Sequence, residues 1–248
     1  MRVSVYDSLV HKQSAGQKML AVLIDPDHVD RLEESVRRCN ESGVDLIFLG
    51  GSLVSTGTIA ESIERIKQLT DIPVLLFPGD ELQIDGRADA LLLLSLISGR
   101  NPELLIGKHV VAAPYIRKSG IEAISTGYML IDGGRVTTAS YISGTVPIPA
   151  DKAEIAMCTA MAGEMLGLKL IYMDAGSGAN QPVNARTISS VREAVRIPII
   201  VGGGIRSTAQ AVEAWRAGAD IVVVGNAIED DNTLITDLMN ALQDLQQL

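Results

Sequence analysis

The chain has 248 residues, a formal charge of −9, and a composition that is 47% hydrophobic but only 3% aromatic. A length near the roughly 250 residues of one α/β barrel, with a core drawn from Val, Ile, Leu and Ala, suits a single domain of parallel strands wrapped in helices. The acidic balance argues against nucleic acid as a partner, because a phosphate backbone needs a basic face. It leaves room for a small anion held by amide N–H groups, helix N-termini and a metal ion.

The first twenty residues read as a leading helix or arm. Ala21 to Ile24 is the first strand, and Pro26 stops it so that Asp25 is held at its C-terminal rim. A helix from Val29 to Asn40 ends ahead of Gly43. Leu46 to Leu49 is the second strand and leaves through Gly50, Gly51 and Ser52. Thr58 to Leu69 is a helix, Ile72 to Leu76 the third strand, and Ala88 to Leu94 the fourth. Such alternation is the mark of a βαβ array.

Between Asn101 and Pro149 the regularity weakens. His109 to Ala112, Gly127 to Ile131 and Val136 to Ile142 all look strand-like, and Gly127 to Ile131 reads as the fifth barrel strand. No clear helix follows until Ala150, so an unusual loop or small hairpin is expected here. Then come a helix (Asp151 to Leu166), strand six (Leu168 to Met173) and a helix (Asn184 to Val195). Strand seven (Ile199 to Val201), a helix (Thr208 to Ala217), strand eight (Ile221 to Val224) and a C-terminal helix from about Thr233 follow. The sum is one (β/α)8 barrel of the TIM type over residues 1–248, with an irregular segment in place of one helix.

In such barrels the chemistry sits where strands end. Strands seven and eight stop on glycine, at Gly202, Gly203 and Gly204 and at Gly225 with Asn226. Backbone without Cβ lets an anion approach the amides, and Ser207 and Thr208 are natural N-caps for the helix that follows. Plain left-handed turns are the competing reading. Strand six opens into Asp174, Ala175, Gly176, Ser177 and Gly178, a second anion-cradling loop, while Tyr172 inside that strand competes with an ordinary core role. Asp25 and Ser52 end neighbouring strands and suit one hard cation such as Mg²⁺ completed by waters, against turn-capping roles for both. His11, His28 and His109 are isolated and read as structural or surface residues. Arg206 either adds charge at the phosphate or is solvated. Cys39 and Cys158 lack metal spacing and read as buried reduced thiols. No leader peptide is evident, and the longest apolar run, Ala88 to Ile97, is too short to span a bilayer, so a soluble cytoplasmic enzyme is expected.

The ordered set of Leu23 to Asp27, Leu49 to Ser52, Tyr172 to Ala179, Val201 to Arg206 and Val224 to Asn226 resembles the geranylgeranylglyceryl phosphate synthase family. Bacterial relatives in that family include heptaprenylglyceryl phosphate synthases. The likeness runs over essentially the whole chain, Pro147 to Pro149 included. It implies transfer of a prenyl group, geranylgeranyl above all, from its diphosphate to the C3 hydroxyl of sn-glycerol 1-phosphate. It implies Mg²⁺ on Asp25 and Ser52, gripping the donor's diphosphate. Tyr172, Met173, Asp174, Ala175, Gly176, Ser177 and Gly178 would form the glycerol phosphate loop, and Gly203, Gly204, Gly225 and Asn226 the phosphate cradle.

Asp174 and Tyr172 take the catalytic roles in that resemblance. Many members carry Glu where this chain has Asp174, so this shorter carboxylate serves as base directly, through a water, or as a hydrogen-bond anchor. Aliphatic walls for the prenyl tail are expected from Leu91 to Ile97 and from Ile121 to Tyr128. The product would partition into membranes, and Trp215 with the helix around Met157 to Met165 suggests a homo-oligomer. Two other readings stay open. A sugar-phosphate isomerase or cyclase would share the loops at strands seven and eight without needing an Asp25–Ser52 metal pair. A non-catalytic isoprenoid or phospho-ligand binding protein would bind without turnover.

Overall fold

The computed structural model describes residues 4–28, 30–225, 227–228 and 233–247. Eight strands pair in sequence order, all parallel, and close when β8 returns to β1. They are β1 (Met19–Ile24), β2 (Leu46–Leu49), β3 (Val74–Leu76), β4 (Ala90–Leu96), β5 (Glu122–Leu130), β6 (Leu170–Asp174), β7 (Ile199–Gly202) and β8 (Ile221–Val224). Most are almost solidly aliphatic because both of their faces are buried; β5, with Glu122, Ser125, Thr126 and Gly127, is the exception. Ala21, Phe48, Leu75, Leu92, Tyr172 and Val223 point inward and fill the barrel. Their neighbours Val22, Ile47, Leu91, Ile171 and Val222 point outward against the helices.

The helices are α1 (Val5–Ser14), α2 (Leu32–Ser42), α3 (Ile59–Leu69), α4 (Lys108–Ser119), α5 (Thr138–Ser143), α6 (Ala153–Met165), α7 (Ala185–Ala194), α8 (Thr208–Ala217) and α9 (Leu234–Gln246). Leu9 of α1 joins the inward-facing cluster. Glu122, at the start of β5, accepts hydrogen bonds from the first amides of α1, Val5 at 2.7 Å and Tyr6 at 3.0 Å, where an anion is favoured. Thr58, Asn184 and Ser207 cap α3, α7 and α8 through their side-chain oxygens, so the cap expected at Ser207 is present.

The middle of the chain departs from the expectation in three places. His109 to Ala112 is not a strand but part of α4, Val136 to Ile142 runs into α5, and no hairpin forms. The cause is the side each helix buries. Ala112 is the buried residue of α4, while Val110, Val111 and Tyr115 are exposed, so no apolar stripe marks a core face. The missing helix lies elsewhere, after β3, where a short 3-10 turn (Glu81–Gln83) stands between β3 and β4. Trp215 is not on the exterior: its Nε1 donates to the Met19 carbonyl at 3.1 Å and packs α8 onto β1. Cys39 is buried, which pushes its thiol up to about 12, but Cys158 is exposed, against the expectation of two buried thiols.

A repeated device locks the ends of the strands opposite the glycine exits. Asp45, Asp89 and Asp220 each directly precede an even-numbered strand and reach back to the strand before it. They accept hydrogen bonds from the amides of Leu20 (3.0 Å), Val74 (2.7 Å) and Ile199 (2.8 Å). Each also meets a cation: Lys12, Lys67 and Arg192. Asp220 is the most buried of the three side chains. Asp220→Ala would orphan the Ile199 amide and take the counter-charge from Arg192 and Lys18, a loss on the order of 3 kcal/mol. The melting temperature should fall by roughly 6–12 °C. Thermal unfolding checks this, and a fall under about 2 °C would show that the device does not carry the barrel's lower end.

Candidate active site

At the C-terminal ends of the strands lies a cavity of about 400 Å³. Asp25, Ser52, Tyr172, Asp174, Ser177, Gly178, Gly203, Gly204 and Gly225 line it, so residues scattered from one end of the chain to the other converge. Three predicted loop residues do not face it. Met173 and Ala175 pack into the core between barrel and helices, and Gly176 lies buried behind the wall. Asn226 lies outside the described residues. Phe77, Arg135, Thr138 and Arg206 are also in the lining. Of these, Arg206 was expected at the phosphate or in solvent; its guanidinium donates to the Ala179 carbonyl at 2.7 Å.

Asp174 ends β6 and is 6% exposed. Its Oδ1 accepts from the Gly176 amide at 2.7 Å and its Oδ2 from the Tyr128 hydroxyl at 2.5 Å. Burial raises its pKa above the ordinary carboxylate value, and these two hydrogen bonds pull the other way. The result is a carboxylate more basic than a solvated one, with lone pairs left on both oxygens. Gly203, the residue after β7, presses on it. Its φ is +80°, and a Cβ there would fall 2.5 Å from Asp174 Oδ1 and 2.4 Å from the Gly176 nitrogen. Only glycine meets both demands.

Tyr172 lies beside Tyr128 in the parallel register of β5 and β6. Their rings meet edge to face at 5.5 Å, and Phe77 stacks on Tyr172 at 5.0 Å. Phe48 completes the group. Both phenylalanines and two of the five tyrosines of an aromatic-poor chain are therefore spent on one spot.

On the opposite side, Asp25 Oδ1 accepts from the Asp27 amide at 2.9 Å, so the turn-capping role is real. Its Oδ2 faces Gly51, the residue before Ser52, and Asp25 and Ser52 both line the cavity. Asp27 has a separate task that the sequence did not disclose. Its carboxylate gathers the amides of Ser55, Thr56 and Gly57 and the Ser55 hydroxyl, at 2.6–3.0 Å, and so fixes the loop after Ser52. Those donors, Gly57 first, hold the Asp27 carboxyl well below the usual range. Among the described residues no three His, Cys, Asp or Glu side chains gather as metal ligands. One carboxylate and one hydroxyl beside an open cavity fit a hard cation that takes its other ligands from water and substrate oxygens, and do not fit a closed protein cage.

A second cavity of about 330 Å³ adjoins the first and shares Gly51, Ser52 and Phe77 with it. Its walls are Leu91, Leu92, Leu93, Leu94 and Leu96 of β4, Ile84 and Pro78 after β3, Ala112 of α4 and Ile142 of α5. It occupies the side where the barrel omits its helix, so outward-facing Leu91 and Leu93 line a groove instead of a helix contact. Of the stretches expected to wall a prenyl tail, Leu91 to Leu94, Leu96 and Tyr128 line this cavity, and Ile97 and Ile121 do not. His109 is also here, hydrogen-bonded through Nε2 to the Leu94 carbonyl at 2.8 Å, and Lys108 pairs with Asp80 at 2.6 Å.

Known proteins match this arrangement over almost its whole length. A geranylgeranylglyceryl phosphate synthase of Chitinophaga pinensis is 56% identical over 98% of this chain and 97% of its own. One from Thermococcus kodakarensis is 39% identical over 92% of this chain and 91% of its own. Among solved structures, (S)-3-O-geranylgeranylglyceryl phosphate synthase of Thermoplasma acidophilum, in complex with sn-glycerol-1-phosphate, superposes with a TM-score of 0.91. It is 30% identical and covers 99% of this chain and 100% of its own. The model of the PcrB family matches residues 13–243, and the chain belongs to that family.

Proposed function

We propose that this protein joins a prenyl diphosphate, geranylgeranyl diphosphate by the names of its relatives, to the C3 hydroxyl of sn-glycerol 1-phosphate. The products are an ether-linked prenylglyceryl phosphate and diphosphate. The observation that carries this reading is the meeting of two cavities of opposite character at Gly51, Ser52 and Phe77. A polar chamber floored by a buried carboxylate suits the acceptor, and an aliphatic groove suits the donor's tail.

The acceptor's phosphate lies against the loops after β7 and β8, at Gly203, Gly204 and Gly225, with the start of α8 adding the positive end of its dipole. Its C3 hydroxyl then faces Asp174 and Tyr172. Asp174 takes the hydroxyl proton, the oxygen bonds to the allylic carbon, and the carbon–oxygen bond to diphosphate breaks with its electrons leaving on diphosphate. Asp25 and Ser52 would hold Mg²⁺, which supplies the charge neutralisation that the leaving diphosphate requires. Holding both substrates side by side replaces a bimolecular encounter by a positioned one.

No helix among the described residues is long and apolar enough to cross a membrane. The same reading makes the protein cytoplasmic, with a product that partitions into membranes. It also makes it a homo-oligomer, for which exposed Ile155, Met165 and Leu166 offer an apolar face. Sedimentation at the monomer mass would remove that last point.

Purified protein with Mg²⁺, labelled sn-glycerol 1-phosphate and prenyl diphosphates of graded length should yield label extractable into organic solvent. No product with any donor would end the proposal. Binding of both ligands without turnover would favour a carrier, and Mg²⁺-independent conversion of a sugar phosphate would favour an isomerase or cyclase. Asp25→Asn should lower kcat/KM by about 100-fold and raise the Mg²⁺ concentration needed for half-maximal rate. A variant as active as wild type at limiting Mg²⁺ would take Asp25 out of the metal site. Gly203→Ala should cost roughly 1–3 kcal/mol of stability through the strained φ and the contact with Asp174. It should also raise KM for glycerol phosphate, while unchanged melting and KM would show that the loop tolerates a Cβ.

A further inference from the structure

We infer that Tyr128 is the positioning residue for the Asp174 carboxylate, holding it toward the acceptor's hydroxyl from the wall between the two cavities. This rests on the reading of Asp174 as base. The ring of Tyr128 lines the aliphatic groove, while its hydroxyl reaches through the wall to Asp174 Oδ2 at 2.5 Å. Phe77 at 5.8 Å and Tyr172 at 5.5 Å meet that ring edge-on, and the residue is 8% exposed, so the hydroxyl has nowhere else to swing. Oδ1 is already fixed by the Gly176 amide and hemmed by Gly203. With both oxygens held, the carboxylate keeps one orientation before substrate arrives.

The chemistry also favours a neutral donor at this place. A carboxylate this deeply buried must be held ionised, yet an arginine or lysine partner would stabilise the anion so strongly that it would cease to be a base. A tyrosine hydroxyl stabilises it by less and keeps its own proton. The other ionisable groups lining the chamber are Asp25 after β1, Arg135 after β5, Tyr172 on β6 and Arg206 after β7. Among the described residues, Tyr128 is the side chain that donates to Asp174. Burial raises the pKa of Asp174, and the Tyr128 hydrogen bond lowers it. Removing the hydroxyl therefore moves the acid limb of the rate profile to higher pH.

Tyr128→Phe keeps the ring and removes the donor. Its kcat should fall by roughly 10- to 100-fold, KM for both substrates should change less than about 3-fold, and the acid limb of kcat against pH should shift upward. In case Phe disturbs the aromatic cluster, Tyr128→3-fluorotyrosine keeps the hydroxyl as a stronger donor and should shift the same limb downward. An acid limb that stays in place in both variants overturns the proposal, whatever happens to the rate. Asp174→Asn separates the two layers. If it abolishes turnover while both Tyr128 variants titrate like wild type, the base stands and the positioning role falls. If Asp174→Asn keeps near-normal turnover, the underlying reading of Asp174 is itself wrong.

Discussion

A carboxylate withdrawn from water must find its hydrogen bonds inside the protein, and the upper half of this barrel is arranged around that need at Asp174. One oxygen fixes the Gly176 amide and thereby the loop after β6. The other fixes Tyr128 on β5, and the bare backbone of Gly203 closes over the group from β7. Three consecutive strands thus end on one side chain. A Cβ at position 203, or a different residue at 174, would disturb the loops after β6 and β7 and the aromatic wall together, because they share this contact.

The second constraint is a gap. A parallel barrel normally covers each outward strand face with a helix, and here the cover between β3 and β4 is reduced to a 3-10 turn. The uncovered leucines of β4 become the wall of a groove that runs to the polar chamber. An enzyme joining a water-soluble phosphate to a long hydrocarbon needs two such environments in contact, with the reacting atoms at the border. Gly51, Ser52 and Phe77 are that border. The aromatic residues concentrate there as well, although the chain uses few of them.

Much of the frame was legible in the sequence because strands buried on both faces leave solid apolar runs, and most of these runs stop at a glycine, proline or acid. The rim residues Asp25, Ser52, Asp174 and Gly203 were legible for the same reason: they stand at the ends of those runs or within the first few residues beyond them. Helices were harder where their apolar residues face outward. Val110, Val111 and Tyr115 on α4 gave a strand-like reading, since helical periodicity signals a buried stripe and this helix buries little more than Ala112. The uncovered side of the barrel was assigned to the wrong interval for the same reason. The bond of Tyr128 to Asp174 and the loop-fixing role of Asp27 were missed because both depend on what lies opposite. Tyr128 matters through the register that sets it beside Tyr172, and Asp27 through a loop twenty-eight residues ahead. Neither pairing leaves a local trace.

In the proposed reaction, acceptor phosphate and acceptor hydroxyl are held at opposite ends of one chamber, by the glycine loops and by Asp174. A crystal structure of this protein with sn-glycerol 1-phosphate tests it most directly. Phosphate density is expected against the amides of Gly203, Gly204 and Gly225, with the C3 hydroxyl within hydrogen-bonding distance of Asp174. Phosphate bound outside these loops, or a glycerol whose C3 hydroxyl points away from Asp174, would contradict it.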